Sequence, residues 1–399
     1  MKEERDISLR APGDRPTGVA APSWVEIDGA AYRRNLSEFR SLAGPATRLM
    51  AVVKANAYGH GMDLLAPIAA RSADALGVNS LDEALNLLGA APIHVLGPLS
   101  GPELEEAATL PLDVTLSTME GIEALARGAR RHGTRPRCHV KVETGCHRQG
   151  FGLEEMDGVA GAFAAHPELR WVGLATHFAN IEDTTDHSYG RRQLRVFLEA
   201  AEALGRRGVA ALLRHAACTA ATIVMPETHL DMVRIGIGSY GLWPSRETLV
   251  SAQREHGGGP KLQAVLSWKT RIAQVKWVDA QAYVGYGCTY RTTRRTRLAV
   301  LPVGYCDGYD RGLSNSGRVL VRGRRAPVLG RVCMNMTMVD VTDIDGAGAG
   351  DEVVLLGSQG DEALAAHDVA SLCNTIVYEI TSRIAATVPR ILSRAADGS

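Results

Sequence analysis

Leu49-Met50-Ala51-Val52-Val53-Lys54-Ala55-Asn56-Ala57-Tyr58-Gly59-His60-Gly61 is the stretch around which the rest of the chain reads. The unbroken apolar run 49–53 has the length of a buried parallel strand. It stops at a lysine, and Gly59 and Gly61 then signal a turn. A lysine at the mouth of a buried strand loses solvation, which lowers its pKa and frees the amine to attack a carbonyl and to move protons. The same position also suits a lysine that simply extends its ammonium into water.

Further along, apolar runs centred near residues 51, 76, 95, 114, 140, 172, 213 and 233 alternate with amphipathic helical segments. Ser80 with Glu83, and Ser117 with Glu120, read as capping boxes that open two of these helices, and another helix is expected over 154–166. Eight strands alternating with helices predict an α/β fold, a (β/α)8 TIM-like barrel, whose usual length is ~250 residues. An open doubly wound sheet is disfavoured, because no Gly-x-Gly-x-x-Gly follows the first strand. A short strand over 24–27 leads in, with Asp28 placed to cap the next helix. Residues 254–260, with three consecutive glycines and a proline, read as a linker. Beyond it, short β-rich runs at 265–278, 297–302, 317–321, 326–329, 336–341 and 352–356 predict a C-terminal, mostly β domain, with a late helix over about 363–373. The expected division is a flexible leader 1–22, a barrel 23–253, a linker 254–261 and a β domain 262–399.

Among the 399 residues, 44 basic side chains balance 44 acidic ones, which gives no reason to expect nucleic acid or an anionic membrane as partner. No apolar run approaches the ~20 residues of a membrane-spanning helix. The start, MKEERDISLRAPGDRP, lacks the apolar core of a secretory signal. Seven cysteines, an odd number without Cys-x-x-Cys spacing, argue against a disulfide framework and a zinc site and fit a reducing cytoplasm. No metal is expected.

Barrel enzymes carry their chemistry at the C-terminal ends of the strands, with phosphate often held after strands seven and eight. On the strand assignments above, Lys54 ends strand one and Lys141 lies within strand five, with Arg148 in the loop after it. His177 ends strand six, Thr219 follows strand seven, and Arg234-Ile235-Gly236-Ile237-Gly238 follows strand eight. These candidates all fall at one end of the barrel. Each also has a plain structural reading: Thr219 as a helix cap, the glycines as turn residues, Arg234 as a partner of Asp231, His177 as a core histidine.

Lys54-Ala55-Asn56-Ala57-Tyr58-Gly59-His60-Gly61 resembles the pyridoxal-phosphate lysine motif of the alanine racemase family, and the resemblance runs in the family's order from about Trp24 to Ile391. It implies pyridoxal 5′-phosphate as cofactor, with Lys54 as the Schiff-base lysine and one of two acid–base groups. Tyr58, Thr219, Gly236, Ile237 and Tyr378 match phosphate-binding positions. Arg234 matches the arginine facing the pyridine nitrogen, and His177 the histidine stacked on the ring. Lys141-Val142-Glu143-Thr144-Gly145-Cys146-His147-Arg148 resembles a lysine-to-arginine motif in which Arg148 orients the substrate carboxylate and a carbamylated Lys141 holds Arg148. In the C-terminal part, Gly285-Tyr286-Gly287 resembles the loop bearing the second base, Tyr286. The segment around Tyr305 resembles the entrance of the site, and that around Met334 a substrate-contacting loop.

In this family the C-terminal groups come from a partner subunit, so the resemblance implies a homodimer acting on a small amino acid. Removing a proton from one face and returning it to the other needs two bases, and a tyrosine with an ordinary pKa of ~10 needs a neighbour to lower it. The implied activity is interconversion of L- and D-alanine, supplying D-alanine for peptidoglycan. A serine or broad-specificity racemase, a barrel-type decarboxylase and a non-catalytic cofactor carrier are the alternatives. Two departures from the family pattern are Asn335, where aspartate is usual, and Cys218, where asparagine is common. A third is the longer leader.

Overall fold

The computed structural model describes residues 21–209 and 212–393. The chain divides into two compact units, residues 28–265 and, separately, 266–391 together with the segment ending at Ile27. The expected leader lies outside the described residues apart from 21 and 22.

The first unit is a parallel barrel of eight strands, Arg48–Val52, Ala75–Val78, Ile93–Val95, Asp113–Leu116, Arg137–Lys141, Arg170–Ala175, Leu213–His215 and Met232–Ile235. Each contains the centre expected from its apolar run. Strand one pairs with strand two on one side and strand eight on the other. Closure between strands seven and eight is made by two backbone bonds, Asp231 N–H to the Arg214 carbonyl at 3.1 Å and Arg234 N–H to the Ala217 carbonyl at 3.0 Å. Asp28 caps helix Gly29–Ala43 by accepting from the Ala31 N–H at 2.8 Å. Helix Met119–His132 is capped by Thr118, whose hydroxyl accepts from Gly121 N–H at 3.1 Å, rather than by the expected Ser117.

Strand one leads into an unusual backbone turn. Residues 55–58 (Ala55, Asn56, Ala57, Tyr58) all have φ between 52° and 54°, a left-handed turn built from non-glycine residues. Each such residue costs roughly 1–2 kcal/mol, so the turn persists only because its surroundings over-determine it. Gly59 closes it at φ 84°, its N–H bonding to the Ala55 carbonyl at 3.0 Å, and Gly61 N–H bonds to the Asn56 carbonyl at 3.0 Å. Asn56, a residue type that tolerates this region, also accepts from the Met62 N–H at 2.8 Å and so starts the next helix. The His60 ring bonds the Ala57 and Tyr58 carbonyls, both at 3.1 Å. Glu83 reaches across from the second strand's loop to accept from Ala55 N–H and Asn79 N–H, both at 2.7 Å. Of the capping box expected at Ser80, only the Ser80 half forms, at 3.3 Å, because the Glu83 carboxylate is engaged by this turn. Beneath it, fully buried Tyr240 donates to the Val52 carbonyl at 2.8 Å and packs against Tyr58 and His60.

The second unit is β-rich. Its larger sheet includes Arg324–Pro327, Arg318–Val321, Glu352–Gln359, Leu266–Arg271 and Ser23–Ile27 as neighbours in that order; a smaller one joins Gln274–Val278, Thr296–Leu301 and Thr337–Asp340. Helices Ala366–Leu372 and Val377–Ser382 come after these strands.

Two expected boundaries differ. Strand Ser23–Ile27, counted with the barrel, pairs antiparallel with Leu266–Arg271 and belongs to the β unit. Its alternating burial matches a one-sided sheet rather than a barrel wall. The expected linker 254–261 is also structured. Helix Arg246–His256 runs into it, Gly257 ends the helix at φ 71°, and Lys261 N–H bonds Glu38 at 3.0 Å. Asn35 then clasps Gln263 through two bonds of 2.8 and 2.9 Å. A Cβ on Gly259 would sit 2.5 Å from the Trp243 ring, so this glycine serves close packing rather than flexibility.

Asn56→Ala removes both the helix-starting acceptor and a residue that tolerates φ near 52°. The expected loss is ~1–2 kcal/mol, read as a lowered thermal midpoint of the cofactor-free protein, while Asn56→Gly recovers part of it.

Candidate active site

The barrel's C-terminal rim gathers the expected residues. Lys54 opens the left-handed turn immediately after strand one, Lys141 ends strand five, His177 follows strand six, Arg234 lies in strand eight, and Gly236 and Ile237 come directly after it. Their charges act on one another. Burial pushes the His177 pKa well down, and Lys141, Arg234, Arg148 and Lys54 push it further. Burial, then Arg148, lowers the Lys54 pKa, with Glu83 opposing. Burial, then Arg234 and Arg148, holds Lys141 well below the ordinary lysine range. Cationic groups packed round a neutral imidazole define a pocket for an anionic ligand and favour unprotonated amines.

Arg234 is buried, 6% exposed, and is not the partner of Asp231, which pairs with Arg214 instead. Its Nη1 donates to the His215 carbonyl and to His215 Nδ1, both at 2.9 Å. Its Nη2 donates to the Thr176 and Ala216 carbonyls at 2.8 and 2.9 Å and lies 3.3 Å from His177 Nδ1. Burial lowers its pKa to about 10, so it remains a cation at neutral pH. Among the described residues these bonds use only Nη1 and Nη2, which leaves the Nε–H as the remaining donor.

A second cluster forms between strands seven and eight. Thr219 is the first residue of helix Thr219–Val224, and Cys218, not Thr219, holds the cap position without a side-chain bond. The Thr219 hydroxyl accepts from Gly236 N–H at 3.0 Å. A Cβ on Gly236 would lie 2.5 Å from the Tyr58 hydroxyl. Tyr58 Oη, Thr219 Oγ1 and the backbone of 236–238 therefore surround one small space where only glycine fits. Hydroxyls and glycine backbone grouped at a strand end suit a phosphate, and here Gly236 and Gly238 N–H both point at Thr219 Oγ1, at 3.0 and 3.5 Å.

The loop after strand five is clamped by Glu143, which accepts from the N–H groups of Gly145, Cys146 and Arg148 at 2.5, 2.6 and 3.1 Å. Lys141, Cys146, Arg148, Gln149 and His177 line one narrow crevice, and Gln149 Nε2 is buried there without a partner.

In the β unit, three loops meet. The Tyr305 and Cys306 N–H groups bond to the Cys333 and Met334 carbonyls at 3.1 and 3.0 Å. Gly330 packs so tightly on the Val284 carbonyl that a Cβ would come within 2.4 Å, and a Cβ on Gly287 would come within 3.3 Å of the Arg331 guanidinium. Tyr286, Tyr305 and Met334 thus belong to one loop cluster, with exposures of 73%, 42% and 54%. Tyr378 lies apart from these loops in sequence, on helix Val377–Ser382.

Reading the sequence did not pick out the roles of Glu83, Glu143, Tyr240 and His215. Glu83 and Glu143 act through backbone N–H groups, which no residue spacing reveals. Tyr240 and His215 carry no motif of their own, and their partners are distant in sequence.

A parallel barrel with a partly desolvated lysine at its rim, and with hydroxyls and glycine backbone grouped at the ends of strands seven and eight, has the frame of a barrel-type pyridoxal-phosphate enzyme. The model of the alanine racemase N-terminal domain matches residues 27–244, and that of the alanine racemase C-terminal domain matches 265–392. The chain belongs to the alanine racemase family. It is 38% identical to an alanine racemase of Leptospira interrogans over 93% of this chain and 95% of that one, and 43% identical to one of Symbiobacterium thermophilum over 92% and 96%. Its structure resembles the alanine racemase of Streptomyces lavendulae with a TM-score of 0.87 at 35% identity, covering 94% and 98% of the two chains. It also resembles that of Bartonella henselae with covalently bound pyridoxal phosphate, with a TM-score of 0.80 at 26% identity, covering 94% and 100%.

Burial alone would raise the Glu143 pKa, but the backbone donors outweigh it and hold the carboxyl at about 2. Its folded pKa is below the unfolded value of ~4.3, so its contribution is full above that value and disappears as pH falls towards 2. Glu143→Gln is expected to lower the thermal midpoint at pH 7, with the gap to the parent closing between pH 4.5 and pH 2.

Proposed function

We propose that this chain interconverts L- and D-alanine with pyridoxal 5′-phosphate as cofactor, working as a homodimer. The observation that carries the reading is the rim of the barrel, where Lys54, Arg234 and the Tyr58–Thr219–Gly236 cradle converge in one unit. The residues fit the cofactor: the cradle excludes a Cβ at Gly236, the Arg234 Nε–H is left to donate, and the Lys54 amine is held towards its neutral form. Tyr378 is assigned to the phosphate as well, with the Ile237 backbone beside Gly236.

When bound, the cofactor supplies an electron-withdrawing ring that acidifies the α-hydrogen of the amino acid. Lys54 Nζ takes or returns that proton on one face, and the partner subunit's Tyr286 does so on the other. Arg234 donates to the ring nitrogen and, as a permanent cation, keeps a proton off it, which restrains side reactions. His177, neutral through burial, lays its ring against the cofactor. Arg148 orients the substrate carboxylate, and the Met334 backbone approaches the same group, while Tyr305 narrows the entrance.

Lys141 is assigned a carbamate. Its suppressed pKa leaves a neutral amine able to add to carbon dioxide with release of one proton to solvent, and the resulting carbamate would offset Arg148 and Arg234 and give buried Gln149 Nε2 an acceptor. The dimer is supported by the exposed Tyr286, Met334 and Met336 side chains, apolar groups that favour cover. Among the described residues no helix is long and apolar enough to cross a membrane. Seven free cysteines support a cytoplasmic setting, where D-alanine would feed peptidoglycan.

Lys54→Ala is expected to abolish turnover in both directions together with the absorbance of lysine-bound cofactor. Tyr286→Phe should keep the colour and lower kcat by ~10²–10⁴, measured by chiral chromatography and by α-proton exchange of alanine in deuterated water. Release of carbon dioxide, racemisation of serine in preference to alanine, or a yellow protein that exchanges no α-proton would favour the decarboxylase, the serine racemase or the carrier respectively.

A further inference from the structure

Below the candidate site, the barrel interior holds a polar layer where branched aliphatic side chains are usual. Strands three, five and seven send His94, His139 and His215 inward, all of them buried. His139 Nδ1 lies 3.0 Å from His215 Nε2, and His139 Nε2 lies 3.1 Å from the Asp113 carboxylate at the start of strand four. His215 Nδ1 is 2.9 Å from Arg234 Nη1.

The proton positions along this line follow from chemistry. A guanidinium only donates, so His215 Nδ1 accepts and its proton sits on Nε2. That N–H donates to His139 Nδ1, whose own proton is then on Nε2 and points at Asp113. Every bond therefore runs in one direction, from a buried cation to a carboxylate, through two neutral rings. Burial first, and Arg234 next, depress the His215 pKa, consistent with a neutral ring. Burial alone would raise the Asp113 pKa, but hydrogen bonds from His139 and Arg137 reverse this and keep it ionised. Arg137 grips Asp113 with bonds of 2.6 and 3.0 Å, and both line a cavity of about 1100 Å³ at the N-terminal ends of the strands.

The three histidines lie close enough to suggest a metal site, with ligand atoms within 4.8 Å of one another. The bonding argues otherwise. Both nitrogens of His215 are engaged, one by a buried guanidinium that would repel a cation, both of His139 are engaged by His215 and Asp113, and His94 Nε2 lies 2.9 Å from the Thr115 hydroxyl.

We propose that Asp113 is a positioning residue for Arg234: acting through His139 and His215, it fixes the tautomers that keep Arg234 Nη1 engaged. A buried guanidinium needs an acceptor for each N–H, and His215 Nδ1 stays an acceptor for Nη1 while each N–H along the line points towards Asp113 at the opposite end of the barrel. The catalytic consequence rests on the assignment of Arg234 to the cofactor's ring nitrogen.

Histidine ¹⁵N NMR of the cofactor-free protein tests the line, with His139→Gln and His215→Gln used for assignment. Both rings are expected as neutral Nε2–H tautomers in the parent. Asp113→Asn, which keeps an acceptor oxygen, should preserve them, and Asp113→Ala should scramble His139 and broaden His215. In the loaded enzyme, Asp113→Ala is expected to lower kcat by about tenfold with the alanine KM within twofold, and Asp113→Asn to fall in between. A proton on Nδ1 of either ring in the parent, tautomers unmoved in Asp113→Ala, or stoichiometric zinc surviving chelation overturns the proposal. Tautomers that move while kcat stays put overturn the coupling to catalysis. A parent protein that racemises nothing sinks the functional reading instead, and leaves the tautomers to decide whether the line exists.

Discussion

A guanidinium enclosed in a parallel barrel has to be solvated by the barrel itself, and the site is arranged around that requirement. Arg234 draws on the carbonyls of Thr176, His215 and Ala216, groups at or just beyond the ends of strands six and seven. A parallel sheet offers such acceptors only where its ladder stops. The cation is therefore tied to the C-terminal rim, and its neighbours inherit the consequences. Burial first, with Arg234 adding to it, keeps His177 and His215 neutral and lowers the Lys141 pKa, while for Lys54 it is Arg148 that adds to burial, and the pocket as a whole favours an anion. Arginine keeps its charge where a lysine would give it up, so the strain falls on the amines around it.

The left-handed turn after strand one answers the same rim from another side. Four consecutive residues at φ near 53° put a lysine and a tyrosine at the edge of the barrel within one short loop. Their combined backbone cost is several kcal/mol, and the compensations are local and identifiable: the Asn56, His60 and Glu83 side chains and the Tyr240 platform. Glu83 has two functions here, since it braces the turn through Ala55 N–H and also works against the depression of the Lys54 pKa. One carboxylate thus stays close to the Lys54 amine and limits how far its pKa falls.

Much of the fold was legible because most barrel strands are short runs with apolar residues at their centre between turn or cap residues, and pattern finds such runs. The rim residues were legible because strand ends are where barrels keep their chemistry. The linker was misread for a physical reason. Gly257 is a helix terminator and Gly259 a packing contact under Trp243, while a composition rule sees only flexibility. Strand Ser23–Ile27 went to the wrong unit because its partner, Leu266–Arg271, lies more than two hundred residues away. The line from Arg234 to Asp113 was equally hidden. Its members are 19, 76 and 26 residues apart and meet only when the barrel closes.

The loops of the β unit owe their shape to glycine. Gly285 and Gly287 have φ of 76° and 72°, and Gly330 has φ of 74°, so the loops that present Tyr286 and Met334 are built on backbone that few other residues accept. Backbone hydrogen bonds fix Tyr305 against the Met334 loop, so these loops are well defined. Yet the side chains they display stay largely uncovered, with Met334 and Met336 both more than half exposed. An ordered scaffold that displays bare methionines and a phenol has paid for shape without gaining burial, and such surfaces in general mark where another body docks. On the functional reading proposed above that body is a second copy of the chain. Covering the apolar side chains and completing the two-faced proton transfer would then be one event, so the association that stabilises the loops also brings the phenol to its substrate.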